Sequence, residues 1–350
     1  MDKLKKKVID TIKKYNLIES GDKIVLAVSG GPDSICMLDI FIEIRKSFEQ
    51  IGCDFNPEPL ASFGIVVAHV NHMIRKDAKD DEIYVKNYCE KNNIEFYSKS
   101  IDVGKLANNN KIGTEEAGRM VRYEFFDEIL EKTNSNKIAI AHNKNDNAET
   151  IIMNAIRGSG VSGLKGIEAK RGKYIRPLIK CERTEIEEYC KERKLDPRID
   201  RTNFENEYTR NKIRNIVIPY IEQEFNPNII ETLNRLSDLV IEEETYINRQ
   251  VKNVYNNILI EESVEDLKNA KSPEIVLDLR KFNNEEKVIK SRILLYTITR
   301  LLGSSKGIEK IHIEDVIKLC SNNIGNKYLT PNKNIKILIK NHKIYFLSQV

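Results

Sequence analysis

The sequence has no apolar run that approaches the roughly 18 consecutive residues that a membrane-spanning helix requires. Its amino-terminal lysine cluster is not followed by an apolar core and a small-residue cleavage site, which argues against a secretory signal. The six cysteines never form a C-x-x-C pair, which disfavours a zinc ribbon, a redox motif or an iron–sulfur site. We therefore predict a cytoplasmic protein with buried free thiols and no membrane partner.

The chain also lacks a strong charge bias, because 57 basic residues stand against 53 acidic ones and the net charge is only +4. A chain with this balance can bind a nucleic acid only through a local basic patch. At 350 residues it exceeds what one hydrophobic core usually serves. Two domains are therefore expected.

Four short apolar runs are typical of strands, and helical patterns separate them. The predicted strands are residues 23–28, 64–70, 95–101 and 137–141. This alternation predicts an α/β fold with a doubly wound parallel sheet, whose ligands bind beyond the carboxyl ends of the strands. A turn signal at Asn226-Pro227 separates a domain of residues 1–226, including a helical extension, from a smaller α+β domain of residues 227–350.

A short loop follows the first predicted strand and precedes a helix. It consists of Ser29, Gly30, Gly31, Pro32, Asp33 and Ser34. The glycines let the backbone approach an anion closely, and the helix N-terminus adds unpaired amides and the positive end of its dipole. The loop is therefore predicted to hold phosphate groups. A plain β-α turn with Asp33 as a helix cap would use the same residues.

Two common nucleotide sites do not fit this sequence. The loop has neither the spacing nor the lysine of G-x-x-x-x-G-K-S/T, and the G-x-G-x-x-G match at residues 158–163 follows a helix rather than a strand. A carboxylate beside a polyphosphate repels it unless a cation lies between them. Asp33 therefore implies Mg²⁺.

The pattern S-G-G-x-D-S at a strand-to-helix turn resembles the PP-loop of the ATP pyrophosphatase superfamily, whose fold is adenine nucleotide alpha hydrolase-like. Further stretches resemble, in order, those of one family within it, the tRNA(Ile)-lysidine synthetases. They are residues 69–75 (H-V-N-H-M-I-R), 116–123 (E-A-G-R-M-V-R-Y), 141–150 (A-H-N-K-N-D-N-A-E-T), 157–160 with 176–178, and 200–203 with 210–214.

The resemblance implies ATP-dependent ligation of lysine to C2 of the wobble cytidine of tRNA(Ile) with a CAU anticodon, through an adenylated intermediate, with release of AMP and pyrophosphate. The implied ligands are ATP, Mg²⁺, free L-lysine and this tRNA, and a homodimer is left open. The part after residue 226 resembles an accessory tRNA-binding domain.

Site residues follow from the same resemblance. The implied catalytic residues are Asp33, Arg75, Arg119 and Asp146, with Asp33 and Asp146 as metal ligands. The implied nucleotide contacts are His72 and residues 29–34, and the implied tRNA or lysine contacts are Asn145, Glu149, Arg210 and Arg214.

Simpler roles remain for several of these residues. Asp146 at a helix start can be a cap, and His72 can have a structural hydrogen bond. Arg75 and Arg119 can form surface ion pairs.

The sequence departs from the family motif A-H-H-x-D-D-Q-A-E-T, because Asn145 and Asn147 replace the first Asp and the Gln. The first change removes a carboxylate from a metal or amine site, which is expected to alter affinity there.

Two other functions remain open: a PP-loop synthetase that adenylates a small metabolite, and a non-enzymatic nucleotide-binding module. The basic residues of 201–214 favour a polyanionic substrate over a small metabolite. Asp33 argues against the binding module, because a metal-positioning carboxylate serves chemistry better than storage.

Overall fold

The computed structural model describes residues 3–50, 62–73, 78–198, 208–263, 274–322 and 326–349. The chain divides into two compact units, residues 1–240 and 241–350. This division falls beyond the expected boundary at residue 226, because the first turns of the helix Ile229–Ile258 belong to the first unit. There Asn234 Nδ2 donates to the Lys144 carbonyl at 3.0 Å, and Ser237 Oγ donates to the Lys165 carbonyl at 2.6 Å.

The first unit contains a mostly parallel sheet. Its strands are β1 (Lys23–Ala27), β2 (Gly64–Asn71), β3 (Glu95–Ser100), β4 (Lys137–Ile140), β5 (Lys170–Arg171) and β6 (Tyr174–Ile175). Their order is β3-β2-β1-β4-β6-β5, and only the β5–β6 pair is antiparallel. The four predicted strands are confirmed, with ends that differ by at most one residue.

Helices connect these strands and extend the unit after the sheet. They are α1 (Lys3–Lys14), α2 (Pro32–Gln50), α3 (Ala78–Lys91), α4 (Val103–Asn110), α5 (Thr114–Lys132), α6 (Lys144–Ile156), α7 (Gly160–Gly163), α8 (Arg183–Glu192), α9 (Thr209–Lys212), α10 (Ile218–Glu224) and α11 (Ile229–Ile258). A π-helical turn, Ile213–Val217, joins α9 to α10.

Alternating residues of β1 pack into two separate cores. Ile24 and Leu26 face one core, which contains buried residues of α1, α2, α3 and α8. Val25 faces the other, where it packs with Phe125 and Ile129 of α5. Because a strand directs successive side chains to opposite faces, helices cover both faces of the sheet, as the doubly wound fold requires.

The sheet has a topological switch point between β1 and β4. β1 pairs in parallel with β2 on one side and with β4 on the other, so the connections that follow β1 and β4 leave the sheet in opposite directions. In open α/β sheets such a point creates a crevice at the carboxyl ends of the strands, where ligands bind. The S-G-G-P-D-S loop follows β1, and residues 141–146 follow β4.

The second unit is an antiparallel sheet covered by helices. Its elements are β7 (Leu259–Ser263), β8 (Glu274–Asp278), α12 (Leu279–Asn283), α13 (Lys287–Leu302), α14 (Lys310–Ser321), β9 (Lys327–Asn332), β10 (Ile335–Lys340) and β11 (Lys343–Ser348). The strand order is β7-β8-β11-β10-β9. Inward residues such as Ile337 and Phe346 pack with Leu294 and Ile298 of α13, so this unit has the α+β character that the sequence predicts.

In the part of the chain that the structure describes, no helix is long and apolar enough to cross a membrane. Five described cysteines are buried free thiols, as predicted. They are Cys36, Cys89, Cys181, Cys190 and Cys320.

Candidate active site

The loop between β1 and α2 is shaped by its own side chains. Ser34 Oγ lies 3.1 Å from Ser29 Oγ and donates to the Gly31 carbonyl at 3.0 Å. The Ser29 amide donates to the same Ser34 hydroxyl at 3.1 Å. Gly30 has a φ of +93°, a left-handed conformation that residues with a side chain rarely adopt. The loop predicted to hold phosphates is therefore shaped by its own hydrogen bonds at the N-terminus of α2, the positive end of the helix dipole.

Asp33 follows Pro32, the first residue of α2, and its carboxylate contacts the segment that follows β4. Asp33 Oδ1 accepts a hydrogen bond from Asn143 Nδ2 at 2.8 Å. Burial, together with the negative charge of Asp146, raises the pKa of Asp33 from 3.8 to about 6. A solvated carboxylate in the first turn of a helix has the opposite shift, because the dipole favours its charged form. The surroundings of Asp33 thus disfavour its negative charge.

Asn143 and Asp146 form the N-terminus of α6. The Asp146 amide donates to Asn143 Oδ1 at 2.9 Å, and the Asn143 amide donates to Asp146 Oδ2 at 3.0 Å. This pair is a capping box, so Asp146 does have the cap role that its position at a helix start suggests. Both residues are buried. The two carboxylates predicted as metal ligands therefore lie at the same edge of the sheet, joined through Asn143.

An ion cluster surrounds Asp146 and Glu149 on α6. Arg210 Nη2 and Arg214 Nη2 donate to Asp146 Oδ1 at 3.0 and 3.1 Å. The Nε atoms of the same arginines donate to Glu149 at 2.8 and 2.6 Å, and Glu149 is only 1% exposed. Burial would raise the pKa of Asp146, but the arginines hold it below its ordinary value. Arg210 and Arg214 are thus the direct partners of two other predicted site residues.

Asn145 and Asn147, which depart from the family motif, both have structural partners. The Arg183 amide donates to Asn145 Oδ1 at 3.0 Å, which ties α6 to the start of α8. Arg183 Nη2 also lies 3.5 Å from Glu149 Oε1, so Arg183 belongs to the ion cluster. Asn147 Nδ2 donates to Asn234 Oδ1 at 2.9 Å, which ties α6 to α11. At Asn145, where an amide replaces the family's carboxylate, the side-chain oxygen keeps a hydrogen-bond donor.

His142 is a neutral side chain just beyond β4. Arg176 Nε donates to His142 Nδ1 at 3.2 Å, and Arg176 Nη1 donates to the Glu168 carbonyl at 2.7 Å. Burial and nearby arginines lower the pKa of His142 to about 4, although Asp146 opposes them. Because Arg176 can only donate, Nδ1 is the acceptor and the proton is on Nε2. His142 therefore presents an N–H donor.

Arg119 lies on the exposed side of α5 and stacks on an aromatic ring. Its guanidinium carbon is 4.7 Å from the centroid of the Tyr123 ring, and Arg119 Nη2 donates to Tyr123 Oη at 3.0 Å. The positive charge of Arg119 contributes to the low pKa of His142, so it acts on the same edge of the sheet. A surface cavity of about 640 Å³ is lined by Asn110, Ile112, Glu116, Arg119, Met120 and Tyr123.

His72 follows β2 and packs against α5. A Cβ atom on Gly118 would lie 3.5 Å from His72 Cε1. Burial and the charge of Arg122 lower the pKa of His72 to about 4. Within the described residues, the buried His72 Nδ1 has no hydrogen-bond partner. By contrast, His69 Nδ1 lies 2.8 Å from the Val28 carbonyl. The structural hydrogen bond considered for His72 is therefore found at His69.

Arg75 and residues 200–203 lie outside the described residues. In the described part of the chain, no group of three or more His, Cys, Asp or Glu side chains is arranged to hold a metal ion.

Sequence reasoning missed two residues at this site. Asn143 bridges Asp33 and Asp146, and its signal is the N-x-x-D spacing of a capping box directly after a strand. Arg183 contacts Glu149 and also acts on the charge of Asp33. It is far from both in the sequence, and no local pattern marks it.

The sheet with its switch point and the preformed loop define the class of protein. The chain matches the PP-loop domain family over residues 2–221. Two similar proteins are called tRNA(Ile)-lysidine synthase. The one from Clostridium acetobutylicum is 44% identical over 93% of this chain and 66% of its own length. The one from Clostridioides difficile is 42% identical over 98% of this chain and 70% of its own length.

The chain therefore belongs to the tRNA(Ile)-lysidine synthase family of PP-loop proteins. It spans about two thirds of the length of these curated relatives. Among solved structures, the U34-tRNA thiolase NcsA from Methanococcus maripaludis is similar in fold, with a TM-score of 0.54 and 20% identity. That similarity covers 68% of this chain and 78% of the thiolase.

Proposed function

We propose that this chain ligates L-lysine to C2 of the wobble cytidine of tRNA(Ile) with a CAU anticodon, through an adenylated cytidine, and releases AMP and pyrophosphate. Its family membership supports this reaction, since the relatives carry the name tRNA(Ile)-lysidine synthase. The observation on the structure that carries the proposal is the placement of Asp33 at the switch point, beside a preformed phosphate loop and hydrogen-bonded to Asn143.

ATP would bind with its phosphates at residues 29–34. The amides of the loop and of the first turn of α2 supply donors without a lysine, and the positive end of the helix dipole favours the same charge. His72 lies beyond the neighbouring strand β2, and we propose it as a further nucleotide contact. Because its pKa is near 4, His72 would act as a neutral hydrogen-bonding group and not as a cation.

Asp33 would hold Mg²⁺ together with phosphate oxygens. Two observations fit this ion: burial and the nearby charge of Asp146 raise the pKa of Asp33, so a cation there would relieve unfavourable negative charge, and a carboxylate is an oxygen ligand of the kind that Mg²⁺ prefers. Asp146 fits less directly, because arginines and the Asn143 amide occupy its oxygens. When bound, Mg²⁺ would neutralise charge on the pyrophosphate that leaves.

Arginines would stabilise the negative charge that moves onto the pyrophosphate. Arg119 remains our proposal for this role, since it is exposed and its charge already acts on His142. Arg75 is proposed from its motif alone. Arg210 and Arg214 are salt-bridged to Asp146 and Glu149, so we propose that they first fix these carboxylates and contact the tRNA with the donor atoms that remain.

Asn145 and Glu149 are proposed for the substrate side of the site. Glu149 is the more suitable partner for the ammonium group of lysine, because a buried carboxylate can attract a cation strongly. In the structure its charge is matched by arginines, so lysine would compete with them.

The second unit is proposed as an accessory tRNA-binding domain. A cytosine must leave its stack to expose C2, so contacts with the body of the tRNA would help to hold the anticodon loop in place. The cytoplasm, where the tRNA substrate is found, is the proposed site of action. A homodimer stays a prediction, which sedimentation would check.

The test is to incubate the protein with ATP, Mg²⁺, labelled lysine and tRNA(Ile) carrying a CAU anticodon. We expect AMP and pyrophosphate in equal amounts, and labelled lysine on a cytidine after digestion of the tRNA. ADP and phosphate as products would contradict the PP-loop chemistry. An unmodified cytidine beside efficient adenylation of a small metabolite would favour the alternative synthetase, and nucleotide binding without turnover would favour the binding module.

A further inference from the structure

We infer that Asn143 is a positioning residue, whose side-chain amide fixes the Asp33 carboxylate for the adenylation step. This inference rests on the proposed function. Asn143 stands where the family motif A-H-H-x-D-D-Q-A-E-T has its second His, so the feature belongs to this chain's own sequence. It is fully buried, at the point where the segments after β1 and β4 meet.

Three hydrogen bonds define the orientation of Asn143. Its backbone amide donates to Asp146 Oδ2 at 3.0 Å, and its Oδ1 accepts from the Asp146 amide at 2.9 Å. A backbone N–H can only donate, so the oxygen of the Asn143 amide must be the atom that faces it. The NH₂ group is thereby directed to Asp33, where Nδ2 donates to Oδ1 at 2.8 Å.

This geometry makes Asn143 the donor and Asp33 the acceptor of the hydrogen bond between them. Asp33 must present an acceptor to Asn143, which leaves Oδ2 of the same carboxylate for another ligand. The rotation of the Asp33 side chain is therefore set by α6, although Asp33 itself belongs to α2. Small errors in the placement of a catalytic group cost large factors in rate, so this constraint is expected to affect turnover.

The test is an Asn143→Ser variant. Serine remains a good N-cap, so α6 keeps its cap, but its hydroxyl is too short to reach Asp33. We expect kcat for AMP formation to fall by about tenfold or more with little change in KM for ATP, because hydrogen bonds to charged groups are among the strong ones. Asn143→His should restore activity, since an imidazole also carries an acceptor and a donor on opposite sides.

A double-mutant cycle of Asn143→Ser and Asp33→Ala tests whether Asn143 affects kcat by positioning Asp33 or by a general effect on the structure. If Asn143 acts through Asp33, Asn143→Ser lowers kcat in the wild-type background and lowers it no further in the Asp33→Ala background. Equal losses in both backgrounds, or no loss in the wild-type background, would overturn the inference. Asp102→Ser, which changes the N-cap of α4, is the matched control and should leave kcat unchanged.

The same four proteins of the cycle are also compared by thermal unfolding, which needs no activity. The hydrogen bond predicts that the two substitutions are not additive in their effect on Tm. Additive effects of the two substitutions on Tm would contradict the hydrogen bond between Asn143 and Asp33. If the wild-type chain does not form AMP while the Tm effects are non-additive, the proposed function fails and the contact between Asn143 and Asp33 stands.

Discussion

The two units of this chain bury polar groups in very different numbers. In the described residues of the first unit, buried polar or charged side chains include Asp39, Asn143, Asp146, Glu149 and Arg176. In the described residues of the second unit only Glu244 and Thr297 belong to this class, and its core is otherwise apolar. Buried polar groups are costly unless they are fully paired, and Asn143, Asp146 and Glu149 are paired with one another or with arginines at the carboxyl edge of the sheet. The second unit has a plain apolar core, and any binding it performs must use its surface.

The largest effect is expected at Asp33 in the first unit. Asp33→Asn should reduce AMP formation on the order of 10³-fold, because the charge at the proposed Mg²⁺ site is lost. Asparagine still offers an oxygen to Asn143, so the fold should be unchanged. Asp102→Asn, a conservative change at the N-cap of α4, should retain full activity. Undiminished AMP formation at limiting Mg²⁺ would show that Asp33 serves only the helix.

The ion cluster of the first unit predicts a large loss of stability. Glu149→Gln should lower the free energy of unfolding by about 3 kcal/mol, because two arginines then lose a buried partner. The control is Glu262→Gln in the second unit, whose partner Arg300 is half exposed. That change should cost less than about 1 kcal/mol. Urea titrations followed by circular dichroism measure both, and similar losses would erase the contrast between the units.

Removal of the second unit tests whether its role is binding. A chain that ends after residue 240 should bind ATP as the whole chain does but lose tRNA affinity by about tenfold or more, measured by filter binding. The tRNA affinity of the whole chain should also fall more steeply with salt than that of the shorter chain, because more phosphate contacts release more counterions. If the shorter chain binds ATP and also modifies tRNA at the full rate, the accessory role is wrong.

The smallest effect concerns His72 and pH. Its pKa of about 4 lies below the value near 6.5 of an exposed His, so between these two pH values the unfolded chain binds more protons than the folded one. His72 therefore contributes stability above pH 6.5 that is lost as the pH falls towards 4. His72→Asn should reduce the drop in Tm between pH 7 and pH 5 by a few degrees. The exposed His342→Asn in the second unit should leave that drop unchanged.

Much of the fold could be predicted from the sequence because its signals are local. The apolar runs gave the strands β1 to β4, and Gly30 marked a turn that needs a positive φ. The family motifs predicted that Asp33 and Asp146 belong to the same catalytic site. The partners of Arg210 and Arg214 could not be predicted, because an arginine in a basic stretch has the same local pattern whether it faces tRNA or a buried carboxylate.

The sequence by itself determined the alternation of strands and helices, the glycine-containing turn after β1 and the family, because each depends on residues that are close along the chain. Only the tertiary structure decided that the negative charge of Asp33 is destabilised by its surroundings and that the charge of Asp146 is stabilised. The pKa of Asp33 is raised and that of Asp146 lowered, although both are aspartates in the first turn of a helix. Burial and the negative charge of Asp146 raise the pKa of Asp33. Arg210 and Arg214, which the folded chain brings to the switch point from a distant part of the sequence, lower the pKa of Asp146.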